Sequence, residues 1–136
     1  MIPVNYVAIG VASVVSMIVG SLWYSPFLFG ASWMHLRGID PKKQGDTAFP
    51  VKDLLIELLI TLVTVYVLDI LVIVFGAVSL RATVQLSLLV WVGFYLSALI
   101  SQTVWEKRPF GLLAINASLR LVIVVIVTAI LGAWNS

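Results

Sequence analysis

The sequence predicts an all-α integral membrane protein, a bundle of four transmembrane helices with one short interfacial helix. Apolar residues make up 62% of the 136 residues and charged residues 10%, whereas roughly a quarter of the residues in a soluble domain are charged. Because so few polar side chains cannot cover a globule of this size in water, lipid is the expected solvent for most of the surface. The apolar residues form continuous runs rather than alternating patterns, which excludes a transmembrane β-barrel.

Four apolar runs are long enough to cross a bilayer, since a transmembrane helix needs about 20 mostly apolar residues. Backbone groups in lipid must pair within their own segment, so each run is predicted to be helical. No remaining segment is large enough to hold a core of its own, so residues 1–136 are expected to form a single membrane domain. The predicted spans are residues 4–23, 54–76, 82–104 and 110–134.

A short apolar segment after the first span predicts an additional helix at about residues 26–36. Ser25 is a suitable N-cap, and Pro26 fits the first helical position, where its missing N–H has no cost. Gly38 follows where a left-handed residue often ends a helix. The segment is too short to span, so we expect it to lie in the inner membrane interface, against the bundle or the headgroups.

The positions of the basic residues predict the orientation of the four spans. Loops 37–53 and 105–109 together carry six basic residues, whereas the opposite side carries one, Arg81. Lysine and arginine are enriched in cytoplasmic loops. Both loops are therefore predicted to be cytoplasmic, and both termini to lie outside the cytoplasm.

A run of aromatic and small residues marks the end of the first span, Trp-Tyr-Ser-Pro-Phe-Leu-Phe-Gly at 23–30, followed by Trp33. With Asn5-Tyr6 and the segment 105–109, it resembles the signature of a family of small bacterial membrane proteins catalogued only as a domain of unknown function. The resemblance covers the whole chain. It implies four helices in the plasma (inner) membrane of a bacterium, and no established activity or catalytic residue. The interfacial signature residues are Trp23, Tyr24, Ser25, Pro26, Gly30 and Trp33.

Small residues recur every four positions in the first and third spans. Little hydrophobic force acts between helices in lipid, so small residues that permit close contact mark helix interfaces. The two spans run in the same direction, and we expect their stripes to pack on each other or across a subunit boundary of a homo-oligomer. The stripes consist of Ala8, Ala12, Ser16 and Gly20 in the first span, and Gly93, Ser97 and Ser101 in the third.

Three charged residues inside the spans, Glu57, Asp69 and Arg120, are the main candidates for a functional site. A charge at the bilayer centre costs about 2.5–3.5 kcal/mol on insertion scales, so it normally faces other helices and has a partner. Asp69 and Arg120 differ in depth by roughly 8 Å, which a long arginine side chain largely bridges. Asn116 lies one turn below Arg120, and Tyr66 lies close to Asp69 on its helix.

Two interpretations of these residues stay open. In one, Asp69, Arg120 and Asn116 line a polar cavity that binds or passes an ion or small solute, which corresponds to a small transporter or channel-like protein. In the other, Asp69 and Arg120 form a buried ion pair that fixes helix register. The second suits a non-enzymatic accessory or structural subunit that engages partner proteins or lipids.

Other functional classes have less support in the sequence. His35 is the single histidine and the chain has no cysteine, so no metal site is expected. There is no glycine-rich nucleotide loop and no Ser/His/Asp set, so no cofactor and no catalytic residue is predicted. The net charge of +2 is small and the basic residues flank the spans, so nucleic acid is not an expected partner. A membrane enzyme acting on a lipophilic substrate is a third alternative.

Overall fold

The computed structural model describes residues 3–25, 28, 30–36 and 51–136, and this part of the chain consists of helices joined by turns. Four of its helices are long and apolar enough to cross a membrane, which confirms the predicted fold class. The predicted helix start at Pro26 lies outside the described residues. So does most of the predicted cytoplasmic loop, at residues 37–50. The helices are α1 (Tyr6–Trp23), α2 (Gly30–Leu36), α3 (Val51–Phe75), α4 (Leu80–Glu106) and α5 (Phe110–Trp134).

Capping residues and left-handed turns determine where the helices begin and end. Asn5 Oδ1 accepts the N–H of Ala8 at 3.1 Å at the start of α1. Ser79 Oγ accepts an N–H in the same way, also at 3.1 Å, at the start of α4. Gly76 after α3 and Lys107 after α4 have positive φ, of 61° and 53°. Hydropathy detects only the apolar part of a span, so α3 begins three residues before its predicted start, and α4 extends two residues beyond its predicted bounds at each end.

Helix α5 lies at the centre of the bundle and contacts each of α1, α2, α3 and α4, while α1 also packs on α3. The small side chains of Ala8 and Ala12 on α1 are fully buried, so the helix approaches its neighbours closely. The core they join is otherwise aliphatic, with its most buried members on α3 and α5. These are Val65, Val72, Val124, Val127 and Leu131.

Hydroxyl groups join α4 to α5. Thr83, Ser87 and Thr128 are buried, and the hydroxyls of Ser87 and Thr128 are hydrogen-bonded to each other across the two helices. Ser87 Oγ also donates to the carbonyl of Thr83 at 2.6 Å, and Thr128 Oγ1 to that of Val124 at 2.8 Å. Polar side chains that pair between helices are a common form of contact where lipid is the solvent.

The two predicted stripes of small residues do not pack on each other within one chain. Helix α5 separates α1 from α4, and Ala8, Ala12 and Ser16 are buried against other neighbours. The α4 stripe, defined by Gly93, Ser97 and Ser101, is exposed. Within the chain, then, α4 uses its Thr83–Ser87 face for packing. The other alternative, contact of the α4 stripe across a subunit boundary, stays a prediction.

Candidate functional site

Asp69 is completely buried in the second half of α3 and is bound by asparagines from two other parts of the bundle. Its Oδ2 accepts the backbone N–H of Asn5 at 3.2 Å, and its Oδ1 accepts Nδ2 of Asn135 at 2.9 Å. Asn5 is the N-cap of α1, where a carboxylate is favoured by the helix dipole. Asn135 follows the end of α5. Asp69 therefore joins α3 to the start of α1 and the end of α5.

The Asp69–Arg120 ion pair considered from the sequence is not formed. The ion pair found in the described part of the chain joins Arg108 to Glu106. Asp69 instead binds groups that only the folded bundle brings to it, from opposite ends of the sequence. Asp69 thus has a structural role with partners other than Arg120. Arg120 itself lines a cleft that does not include Asp69.

Arg120 lines a narrow cleft between α1, α3, α4 and α5. Its cavity volume is about 20 Å³, which is enough for about one water molecule. Aliphatic side chains of α3 and α5 form the rest of the wall. The polar lining residues are Ser16, Glu57, Thr61, Thr64, Tyr95 and Arg120.

The charge of Arg120 acts on two tyrosines. It interacts electrostatically with Tyr24, just after α1, and with Tyr95 in α4. Glu57 also lines the cleft, but its carboxylate is not in ion-pair contact with Arg120. Arg120 lies inside a span and is only partly exposed. Among the described residues, no carboxylate forms a salt bridge with its guanidinium.

Residues of the aromatic run at the end of α1 attach that end to α5, one turn from Arg120. Tyr24 donates its hydroxyl to Asn116 Oδ1 at 2.5 Å, and Trp23 Nε1 donates to the carbonyl of Ile115 at 3.1 Å. The ring of Tyr24 meets that of Trp33 edge to face, with centroids 5.3 Å apart. Asn116, predicted as a neighbour of Arg120, is therefore held by Tyr24.

The described part of the turn between α1 and α2 is held by hydrogen bonds of Ser25. Helix α2 is described from Gly30 onward, and Ser25 Oγ donates to the carbonyl of Leu22 at 2.6 Å. Gly30 donates its N–H to the carbonyl of Ser25 at 3.0 Å. A Cβ at Gly30 would lie 2.8 Å from the backbone of Ser25, so only glycine fits this close approach.

Replacing Tyr24 with phenylalanine should lower the free energy of unfolding by about 1 kcal/mol, the usual contribution of one hydrogen bond. Burial chiefly raises the pKa of Tyr24, against the opposing charge of Arg120 and with a further increase from Glu57. The folded chain therefore keeps a proton that the unfolded chain loses, and this contribution to stability falls as pH rises above about 10. Melting temperature measured against pH should decline less steeply in Tyr24→Phe; equal declines would contradict this assignment.

Helix α4 changes to π-helical geometry over Trp91–Leu96. Two side chains support this segment: Trp91 Nε1 donates to the carbonyl of Ala117 at 2.8 Å, and Ser97 Oγ to that of Val92 at 2.7 Å. The segment contains Tyr95, which lines the cleft opposite Thr64. Short π-helical turns occur often at functional sites. Nothing in the residue pattern predicts this one.

The structure brings together only some of the predicted polar residues. Glu57 and Arg120 both line the cleft. Asn116 and Asp69 are not among its lining residues, and Asn116 instead accepts the hydroxyl of Tyr24. Tyr66 is 41% exposed on α3 and does not line the cleft. Tyr95 was not among the predicted site residues, and it lines the cleft from the π-helical segment of α4. Within the described ranges, no group of three or more His, Asp or Glu side chains is placed to hold a metal ion.

Four apolar helices of spanning length, packed around a polar cleft, are compatible with a multi-pass membrane protein. Residues 7–132 match a family described as a protein of unknown function, DUF1761. The chain belongs to this family, which confirms the predicted resemblance to an uncharacterised family. No curated protein and no solved structure gives a significant match.

Proposed function

We propose that this protein is a small transporter or channel-like protein whose site for an ion or small solute is the cleft at Arg120. The observation that carries the proposal is a partly exposed guanidinium inside a span, without an ion-paired carboxylate in the described part of the chain. An intramembrane cation is costly unless negative charge or hydrogen-bond acceptors compensate it. An anionic group entering the cleft would supply that compensation.

The origin of the cleft residues supports a site that responds to helix movement. Ser16 belongs to α1, Thr61 to α3, Tyr95 to α4 and Arg120 to α5, so relative motion of any helix changes the lining. The space now holds about one water molecule, so passage of anything larger requires the helices to separate. Asp69 belongs to the packed region of the bundle in this proposal and has no part in binding.

The proposed orientation follows from the charge distribution, with both termini outside the cytoplasm and the 105–109 turn inside it. Six basic residues on one side against one on the other support this topology and a plasma (inner) membrane location. In this orientation the cleft runs from Glu57, near the cytoplasmic start of α3, past the middle of the bundle to Leu68 and Val127.

Flux measurements on the purified full chain in liposomes test the proposal, with chloride as the probe. Wild-type protein should raise chloride efflux above that of protein-free liposomes. Arg120→Gln should lower that flux at least tenfold, because the cation of the site is lost. Arg81→Gln is the matched control, since Arg81 is exposed at the far end of α4. Wild-type flux equal to that of empty liposomes, or full flux in Arg120→Gln, would overturn the proposal.

A non-enzymatic accessory or structural subunit is the second candidate function. The observation that favours it is the α4 stripe, whose Gly93, Ser97 and Ser101 face away from the bundle. Nothing lies within 4 Å of a Cβ built on Gly93, so a helix of another subunit has room to approach. We propose this face as a boundary of a homo-oligomer. Absence of flux in the liposome experiment would leave this function as the better candidate.

A further inference from the structure

We infer a second site, separate from the Arg120 cleft: a groove at the α4–α5 turn that binds the headgroup of an acidic phospholipid. The groove is an open depression with a volume of about 230 Å³, and it shares no lining residue with the cleft. It lies where the end of α2 meets the start of α5. Its lining residues are Leu36, Lys107, Arg108, Pro109 and Leu112.

The lining of this headgroup groove has the two chemical parts that a phospholipid requires. Lys107 and Arg108 provide adjacent cations, and an arginine guanidinium matches phosphate oxygens in bidentate geometry. The partly exposed side chain of Leu36 provides apolar surface for the glycerol and the first acyl carbons, above the buried Leu112. Basic pockets beside membrane helices on the cytoplasmic side bind anionic headgroups. The groove therefore fits an amphipathic anion better than a free inorganic one.

The backbone of Lys107 is an independent sign of a role beyond ending the helix. Lys107 ends α4 in the left-handed region, with φ 53° and ψ 44°. A side chain there costs about 1–2 kcal/mol, whereas glycine, the usual residue at such a position, has no such cost. A lysine in this conformation lines the groove, and strained residues cluster at ligand sites.

Glu106 lies beside the groove, and its carboxylate lowers the positive charge that the groove presents to a lipid. Its Oε2 is 2.6 Å from Arg108 Nε, and the two side chains are 48% and 36% exposed. Two cations and one carboxylate leave a net charge of +1, which matches the single negative charge of a phosphodiester. An exposed ion pair of this kind is weak, so a phosphate can displace the carboxylate from Arg108.

Native mass spectrometry of the purified full chain, titrated with phosphatidylglycerol or phosphatidylcholine, tests the groove. Wild-type protein should bind phosphatidylglycerol several-fold more tightly than phosphatidylcholine. Lys107→Gly should reduce phosphatidylglycerol affinity at least fivefold with an unchanged or raised melting temperature, because it removes both the charge and the strain. Glu106→Gln should increase the affinity, since Arg108 then loses its competing carboxylate.

Arg81→Gln again serves as the control, because it removes an exposed cation from the opposite end of the same helix. Equal loss of affinity in Arg81→Gln and Lys107→Gly would show nonspecific charge attraction and overturn the site. So would unchanged affinity in both Lys107→Gly and Glu106→Gln. If millimolar sodium phosphate displaces the lipid completely, the groove is a site for free phosphate and the lipid assignment is wrong. These outcomes are independent of flux through the Arg120 cleft.

Discussion

Replacing Asp69 with alanine should lower the free energy of unfolding by about 3 kcal/mol, one of the two largest effects expected for a single residue. The carboxylate is fully buried and accepts hydrogen bonds from Asn5 and Asn135. Hydrogen bonds to charged groups contribute about 1.5–3 kcal/mol each, and an unpaired buried donor adds a further cost. Denaturation of the purified protein in mixed micelles measures the change.

Asp53→Ala is the matched control for this substitution, because Asp53 is an exposed aspartate in the first turn of the same helix. Its loss should cost at most about 1 kcal/mol, the usual contribution of a carboxylate near a helix start. A double-mutant cycle with Asn135→Ala should show coupling of more than about 0.5 kcal/mol, because the two side chains are in contact. Equal stability of Asp69→Ala and Asp53→Ala would contradict the role assigned to Asp69.

Gly132→Ala should destabilise the bundle by about 2 kcal/mol, and Gly132→Leu by more, because added carbon atoms have no space at this position. A Cβ on Gly132 would lie 2.7 Å from the carbonyl oxygen of Ala77. Ala77 is the buried residue of an otherwise exposed turn between α3 and α4, and its N–H donates to the carbonyl of Val72 at 2.9 Å. Relief therefore requires the turn or the end of α5 to move.

Gly10→Ala provides the comparison, since no heavy atom lies within 4 Å of a Cβ at Gly10 in α1. Alanine is favoured over glycine inside a helix by about 0.5–1 kcal/mol, so this variant should be slightly more stable than wild type. Opposite signs for the two Gly→Ala substitutions, measured by the same denaturation, are the expected result. If Gly132→Ala left the free energy of unfolding unchanged, the turn at Ala77 would be able to move away without cost, and the expected effect would be contradicted.

Both sensitive positions belong to the same end of the bundle. Asp69, Asn135 and Gly132 bring the start of α1, the second half of α3 and the end of α5 together. The groove at Lys107 lies at the opposite end, and the cleft at Arg120 runs between the two through the middle of the bundle. One end of the bundle is therefore fixed by close packing and buried hydrogen bonds, and polar groups line open space in the middle and at the other end.

Residue pattern predicts much of the local structure, because hydropathy and caps act within a few residues. The four spans and the short helix that ends at Leu36 depend on such local chemistry, whereas the left-handed residues Gly76 and Lys107 were not predicted. Their ends shift by a few residues, since Ser79 and Lys107 set boundaries that apolar length does not reveal. The intramembrane positions of Asp69 and Arg120 also follow from the sequence, since each charge interrupts an apolar run.

The sequence by itself therefore determined an all-helical chain with four spanning segments and a few polar residues inside them. Only the tertiary structure decided the partners of those residues. Asp69 binds Asn5 and Asn135, more than sixty positions away on either side. Arg120 lies with Tyr24 and Tyr95, whose approach depends on an inter-helix turn and a π-helical segment. Contacts across a bundle depend on which faces pack and at what depth, and many packings share the same hydropathy pattern.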